Sequence, residues 1–276
     1  MYKLAVSDTY RCNGTLCLEY HNIYGDLKLM LWNPTTAEVK LIPDKSNSFS
    51  NVWAHHYQVG YDRVKDDYKM IRCTHSPKSH RRCSLQVSSF WEIFSLKTNS
   101  WRKIHDDMPH SDRCVREVYL DGVSHWWDQC WLVSFDFIKE SFITTTIPSY
   151  ERDVFYFNPP LAVLNGSIAF MRNYEETSTF HISILGELGV GKSWTKFFIV
   201  GPLPCLMCPI GIGKKGNILI RKKDDGLAWF DLSTGTIYDI GVTAGSDCKL
   251  LYQKESLLPI GGIYSKFSSC FHPEAI

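Results

Sequence analysis

At 276 residues, with 44% hydrophobic and 21% charged side chains, the chain can bury a sizeable core and falls outside the disordered class. Its 30 basic and 29 acidic residues nearly cancel, for a net charge of +1, which gives no electrostatic footprint for a nucleic-acid backbone or an anionic membrane. No apolar run reaches the roughly 18 to 20 residues of a membrane span, and Met1 to Val6 is too short and mixed for a signal peptide. The expectation is therefore a cytoplasmic or nuclear protein, with residues 1–276 forming a single domain.

In chain order, the first strand candidate is "GTLCLEY" from Gly14, followed by "LMLWNPTTAEVKLIP" from Leu29, an apolar-aromatic run, a turn and a second, more polar extended run. The pattern recurs. "YKMIRC" at Tyr68 precedes "WEIFSLKTNSWRKI" from Trp91, and "LDGVSHWW" at Leu120 precedes "LVSFDFIKESFITTTIP" from Leu132. "LNGSIAFMR" at Leu164 precedes a looser copy, "FHISILGELGVGKSWTKFFIV" from Phe180, and "KGNILIRK" at Lys215 precedes "LAWFDLSTGTIYDI" from Leu227. Aligning Trp32, Phe94, Phe135 and Phe230 places Asn33, Ser95, Asp136 and Asp231 next, with Thr36, Thr98, Lys139 and Thr234 three residues later. Several preceding strands open on Asn-Gly, Asp-Gly or Lys-Gly, which supply the positive φ of a tight hairpin. Each unit thus holds three or four strands, and no long window carries helical periodicity. The fold class is all-β.

Runs such as "KLMLW" and "SFWEIFSL" are apolar at both parities, so both sheet faces are buried. A two-layer sandwich leaves one face wet. Blades stacked face to face around an axis do not, which favours a propeller-like array of five or six antiparallel repeats. Most of the nine tryptophans, Trp32 and Trp101 among them, then read as filling between sheets, although Trp126, Trp127 and Trp131 near Asp128 also suggest a ligand-stacking platform. The ten cysteines are scattered through strand-like runs in a chain far longer than small disulfide scaffolds, and read as mostly buried thiols. The sequons at Asn13 and Asn165 sit in Asn-Gly turns and carry no weight without a secretory signal.

The segments "CNGTLCLEY", "LMLWNPTTAEVKLIP", "VGYDRVKDDYKMIR", "WEIFSLKTNSWRKI", "LNGSIAFM" and "FDLSTGTI" resemble the associated domain of plant F-box proteins, of the S-locus and F-box-kelch types. The resemblance covers roughly Tyr10 to Ile263 and rests chiefly on the order "WNPTT", "VGYD", "YKMIR". It implies a non-catalytic interaction domain that presents a target protein to a Skp-cullin-F-box ubiquitin ligase, with no cofactor. The family's N-terminal F-box helices, which dock on the Skp adaptor, are expected to be absent, because only about ten residues precede "CNGTLCLEY". A stand-alone interaction domain, a truncated product, and a propeller enzyme or sugar-binding protein are the alternatives.

Three motifs imitate catalytic or metal chemistry. "GELGVGKS", Gly186 to Ser193, fits the P-loop pattern, but a phosphate cradle needs a helix after it, and "WTKFFIV" is rich in β-branched and aromatic residues. A Gly-rich hairpin loop is expected. Cys73, His75, His80 and Cys83 bring four potential metal ligands together, and Cys205 and Cys208 form a CxxC, yet neither is a standard zinc frame. The expected reading is a long polar loop and two buried thiols. His55 and His56 are adjacent on a strand, and no nucleophile or acid/base motif accompanies them.

Hairpin turns alternate between the two ends of an antiparallel sheet, so the "NPTT" and "STG" turns belong to one rim and the connections before each aromatic strand to the other. Those connections, "THSPKSHRRCSLQVSS", "NYEETST" and "KKDDG", vary in length and chemistry. Loops on a rigid scaffold carry recognition, which makes His80, Arg81, Arg82, Tyr174, Glu175, Glu176, Lys222 and Lys223 the candidate partner-facing residues, plain solvated loops being the alternative.

Overall fold

A computed structural model describes residues 6–21, 27–43, 53–78, 86–105, 115–128, 131–147, 160–213, 216–245, 255–261 and 263–264. The described residues form five antiparallel blades, each taking four strands in simple up-and-down order. Blade 1 holds β1 (Val6–Cys12), β2 (Thr15–His21), β3 (Leu27–Asn33) and β4 (Glu38–Ile42). Blade 2 holds β5 (Trp53–Asp62), β6 (Asp67–Lys78), β7 (Gln86–Ser95) and β8 (Ser100–Lys103). Blade 3 holds β9 (Val115–Leu120), β10 (Val123–Asp128), β11 (Trp131–Asp136) and β12 (Ser141–Thr146). Blade 4 holds β13 (Leu161–Leu164), β14 (Ser167–Tyr174), β15 (Thr179–Leu185) and β16 (Trp194–Val200). Blade 5 holds β17 (Leu206–Ile212), β18 (Ile218–Lys222), β19 (Gly226–Phe230) and β20 (Ile237–Thr243), and a last strand, β21 (Ile263–Tyr264), pairs with β4. β1 lies against β5 and β9, β9 against β13, and β13 against β17, so the first strand of each blade is innermost.

The expected propeller is therefore observed, and its blade number is five. The reason for strands apolar at both parities is visible in blade 3. Trp126 and Trp127 are adjacent and both 0% exposed. Trp126 packs with Trp91 and Ile93 of blade 2, whereas Trp127 packs with Phe170 and Trp194 of blade 4. Consecutive strand residues point to opposite faces, so each face of the blade is a core. Similar apolar clusters join blade 1 to blade 2 through Leu31, Met70 and Phe94, and blade 4 to blade 5 through Phe180, Ile182 and Ile220.

The repeated turns owe their constancy to one hydrogen-bond pattern. Asn33 Oδ1 accepts from the Thr35 and Thr36 N–H groups, Asp136 Oδ1 from Ile138 and Lys139, and Asp231 Oδ1 from Ser233 and Thr234. Ser95 Oγ accepts from Thr98 N–H in the same place. A short polar side chain that bonds the backbone two or three residues on is what closes such turns. Each turn then ends on a left-handed residue, Ala37, Asn99, Glu140 or Gly235. The Asn13-Gly14, Asp121-Gly122 and Asn165-Gly166 hairpins have positive φ at both positions, as expected for tight two-residue turns.

The "VGYD" segment is a packing joint. Gly60 lies against the ring of Phe137, which blade 3 inserts toward β5. Asp62 Oδ1 closes its own turn by accepting from Val64 and Lys65 N–H groups. Its other oxygen is 2.6 Å from Lys69 Nζ, which also donates to Glu140 at 2.7 Å and to the Phe137 carbonyl at 3.0 Å.

His125 is buried with Nδ1 2.8 Å from Ser134 Oγ, and burial pushes its pKa down to about 4. The unfolded imidazole binds its proton near pH 6.5, so the His125 contribution is complete above that pH and is lost as the pH falls toward 4. The loss amounts to about 3 kcal/mol. Denaturant midpoints between pH 7 and pH 4 are expected to fall more steeply for the wild type than for His125→Gln.

Candidate partner-binding rim

Because every blade runs up and down alike, the β3–β4 turn and its counterparts share a turn rim, and the β2–β3 connection and its counterparts share the opposite loop rim. The turn rim is partly occupied by the chain itself. Residues 255–260 cross blade 1 there, held by Asn33, Thr35 and Glu38. The loop rim carries the candidate partner residues. His80, Arg81 and Arg82 lie outside the described residues.

Tyr174 closes β14, and Glu175 and Glu176 stand exposed on the following turn. Tyr174 is held by two neighbours. Arg172 and His181 are direct cross-strand partners, and since Tyr174 shares the parity of Arg172, all three project from one face of the blade. The Arg172 guanidinium sits 4.4 Å from the Tyr174 ring centre, and the His181 ring is 4.1 Å away on the cross-strand side. A half-buried tyrosine fixed in this way loses little rotamer freedom on binding, which is what a recognition anchor needs.

Lys222 and Lys223 begin the corresponding connection of blade 5. Their roles separate: Lys222 Nζ is 2.7 Å from Asp239 and 3.4 Å from Asp224, and the hydrogen bond to Asp239 chiefly raises its pKa. Lys223 is exposed and makes no ion pair among the described residues. Arg221 is likewise engaged, with Nε 2.9 Å from Asp225.

The blade 4 to blade 5 crossover draws these two loops into one surface. Leu203 N–H donates to the Ser178 carbonyl at 2.7 Å, and Lys223 N–H donates to the Cys205 carbonyl at 2.9 Å. Asn173 Nδ2 donates to the Met207 carbonyl at 2.8 Å, and the Met207 side chain is 41% exposed. Tyr174, Glu175, Glu176, Lys222 and Lys223 thus flank a crossover that is hydrogen-bonded to both loops. The surface also takes in Arg172, His181 and Met207, which the sequence reading passed over. They lie within strands, where a polar or sulfur side chain carries no loop signal.

The motifs that imitated other chemistries resolve differently. "GELGVGKS" is the β15–β16 loop, in which a three-residue 3-10 turn, Gly191–Ser193, leads straight into β16. Ser193 Oγ accepts from Glu187 N–H and donates to the Glu187 carbonyl, which folds the loop on itself. Lys192→Ala is expected to leave the melting temperature unchanged, and Mg-ATP to leave it unchanged in both proteins, by differential scanning fluorimetry. Cys73 is buried, His75 lies on β6, and His80 and Cys83 lie outside the described residues. The CxxC corrects an expectation: Cys205 is exposed because it lies on the crossover just before β17, and Cys208 is only half-buried because it sits at the irregular start of β17, where the pairing with β18 shifts register between Leu206 and Cys208. His55 and His56 lie on β5, whose register slips between Ala54 and His56. Trp131 is half-exposed at the loop rim, whereas Trp126 and Trp127 are core, so the three tryptophans form no common platform.

Comparison with known proteins follows this architecture. The F-box associated beta propeller domain family matches residues 2–256. The F-box protein CPR1 of Arabidopsis thaliana is 26% identical over 261 residues, covering 82% of this chain and 62% of that protein. An F-box/kelch-repeat protein of the same plant is 25% identical over 238 residues, covering 82% of this chain and 61% of that protein. Another A. thaliana F-box protein is 30% identical over 153 residues, covering 50% of this chain and 37% of its own length. The chain therefore spans between about a third and three-fifths of the length of such relatives. With its five blades, its repeated turns and a match along nearly its whole length, the chain belongs to the F-box associated beta propeller domain family.

Proposed function

We propose that this propeller is the non-catalytic target receptor of a Skp-cullin-F-box ubiquitin ligase, acting in the cytoplasm or nucleus and gripping its target protein with the loop rim of blades 4 and 5. The observation that carries this reading is the Tyr174 anchor, packed against Arg172 and His181 beside a crossover that also supports Lys223. Rigid aromatic anchors surrounded by exposed polar residues are the usual energetic centre of a protein interface. The membership of the family, whose relatives are named F-box proteins, supplies the ligase context. The Skp adaptor and the cullin would be reached through an F-box module, and ligase chemistry would reside in those partners.

Two baits test both halves of the reading in a plant extract: the chain alone, and the chain fused behind an F-box. Only the fusion is expected to capture the Skp adaptor and cullin, and both are expected to share further proteins, the candidate targets. Against a shared target, Tyr174→Ala is expected to weaken binding about 30-fold, or roughly 2 kcal/mol. Alanine at all eight candidate positions should abolish capture while the melting curve stays cooperative. A folded eightfold variant that keeps full affinity would falsify the assignment of the rim.

A further inference from the structure

The segment crossing the turn rim of blade 1 is bound the way a foreign peptide would be. It is extended, with Ser256, Leu258 and Ile260 turned inward and Leu257 and Pro259 exposed, Leu257 by 82%. Most of its polar anchors read main-chain atoms. Asn33 Nδ2 donates to the carbonyls of Ser256 and Leu258, at 3.0 and 3.1 Å, which is the two-residue period of an extended chain. Ser256 N–H donates to Thr35 Oγ1 at 3.1 Å, and Ile260 N–H donates to Glu38 Oε2 at 3.1 Å. Ile260 is 1% exposed, inside the cluster that joins blades 1 and 2, and Leu258 packs on the same cluster. Beyond it, β21 adds to the free edge of β4.

Main-chain hydrogen bonds combined with pockets for alternate side chains are the mode by which sheet edges capture peptides. The family match ends at residue 256, so the groove lies within the match while Leu258 and Ile260, the side chains that fill it, lie beyond. We propose that the blade 1 groove is a docking site for an extended peptide with apolar residues at alternate positions, and that residues 256–264 are a displaceable internal occupant of it. A partner segment spaced like Leu258 and Ile260 takes the same anchors in trans. The internal segment competes at the high effective concentration of a tethered ligand, so the groove opens to partners that also hold the propeller elsewhere. This inference is independent of the loop rim, which lies at the opposite end of the blades.

The test uses the full chain carrying Ile260→Asp, which weakens the internal segment and leaves the groove intact, and a fluorescent peptide of residues 255–264. Anisotropy is expected to show binding to the variant at least roughly tenfold tighter than to the unmodified chain, and loss of that binding on adding Glu38→Ala. No binding to a folded Ile260→Asp variant, or equal binding to all three proteins, overturns the proposal. Native-state hydrogen exchange on the unmodified chain decides the matter should the variant not fold. The Ser256 and Ile260 amides are expected to exchange at least about a hundredfold faster than those of Met30 and Leu31, through local release of the segment. Equal exchange, showing release only with global unfolding, overturns it as well.

Discussion

Replacing Lys69 with methionine is expected to remove about 3 to 5 kcal/mol of stability at neutral pH, the usual result of stripping one partner from a buried ion pair. Lys69 is 3% exposed and Asp62 0% exposed. Without the ammonium, the Asp62 and Glu140 carboxylates, from turns of neighbouring blades, face each other's charge across the joint. The pH dependence identifies the cause. Burial pushes the carboxyl groups of Asp62 and Glu140 upward, but the hydrogen bond from Lys69, aided for Asp62 by two backbone N–H groups and for Glu140 by Arg102, leaves both below their ordinary values. Their contribution is present above the ordinary carboxylate range and is lost as the pH falls through the lower folded values. Lys69 is also buried, and its hydrogen bonds to Asp62 and Glu140 more than offset that, raising its pKa. Its share is complete below its ordinary value and is lost only as the pH rises through the higher folded one. Urea titrations of wild type and Lys69→Met should therefore differ most at pH 6 to 9 and converge at strongly acidic pH, where the variant's carboxyl groups take up protons. A gap that stays constant down to pH 3 would assign the loss to packing alone.

Gly60→Ala is expected to destabilise the propeller by about 3 kcal/mol, the upper part of the range for overpacked cores. A Cβ at Gly60 falls 2.1 Å from Phe137 Cδ2 and 2.3 Å from Cε2. Phe137 is fully buried between blades 2 and 3, so the ring has nowhere to move. Phe137→Ala alone should cost about 3 to 5 kcal/mol through the cavity it leaves. In the double variant the added methyl enters that cavity, and the combined loss should fall short of the sum by more than about 1 kcal/mol. Strict additivity in guanidinium melts would mean that Gly60 serves its strand by some route other than contact with Phe137.

Strands apolar at both parities pointed to stacked blades, and adjacent Trp126 and Trp127 in opposite interfaces are the physical reason. The polar residue after each aligned aromatic pointed to a common turn, and its side chain caps that turn in four blades. The left-handed Ala37 and Glu140 could not be read, because neither residue type favours positive φ and only the turn geometry imposes it. Blade number stayed open because the connections are unequal, within blades alone from two residues between β13 and β14 to eight between β15 and β16. The placement of Tyr174, Glu175, Glu176, Lys222 and Lys223 on the loop rim was legible, because it follows from the alternation of hairpin turns. The support for it was not: Arg172 and His181 meet Tyr174 only because their strands pair in that register. Lys222 looked as available as Lys223 until Asp239, 17 positions on, proved to hold it. The groove segment, "SLLPIGG" leading to Ile263 and Tyr264, has no turn or strand signature of its own, since its conformation is imposed by Asn33, Thr35 and Glu38.

Quantitative affinity capture with the wild type and Tyr174→Ala as matched baits decides whether the propeller is a target receptor that binds through the loop rim of blades 4 and 5. The wild type is expected to bind a set of proteins that the substitution depletes at least about tenfold, with equal melting temperatures for the two baits. Indistinguishable captured sets from two equally stable baits would contradict it.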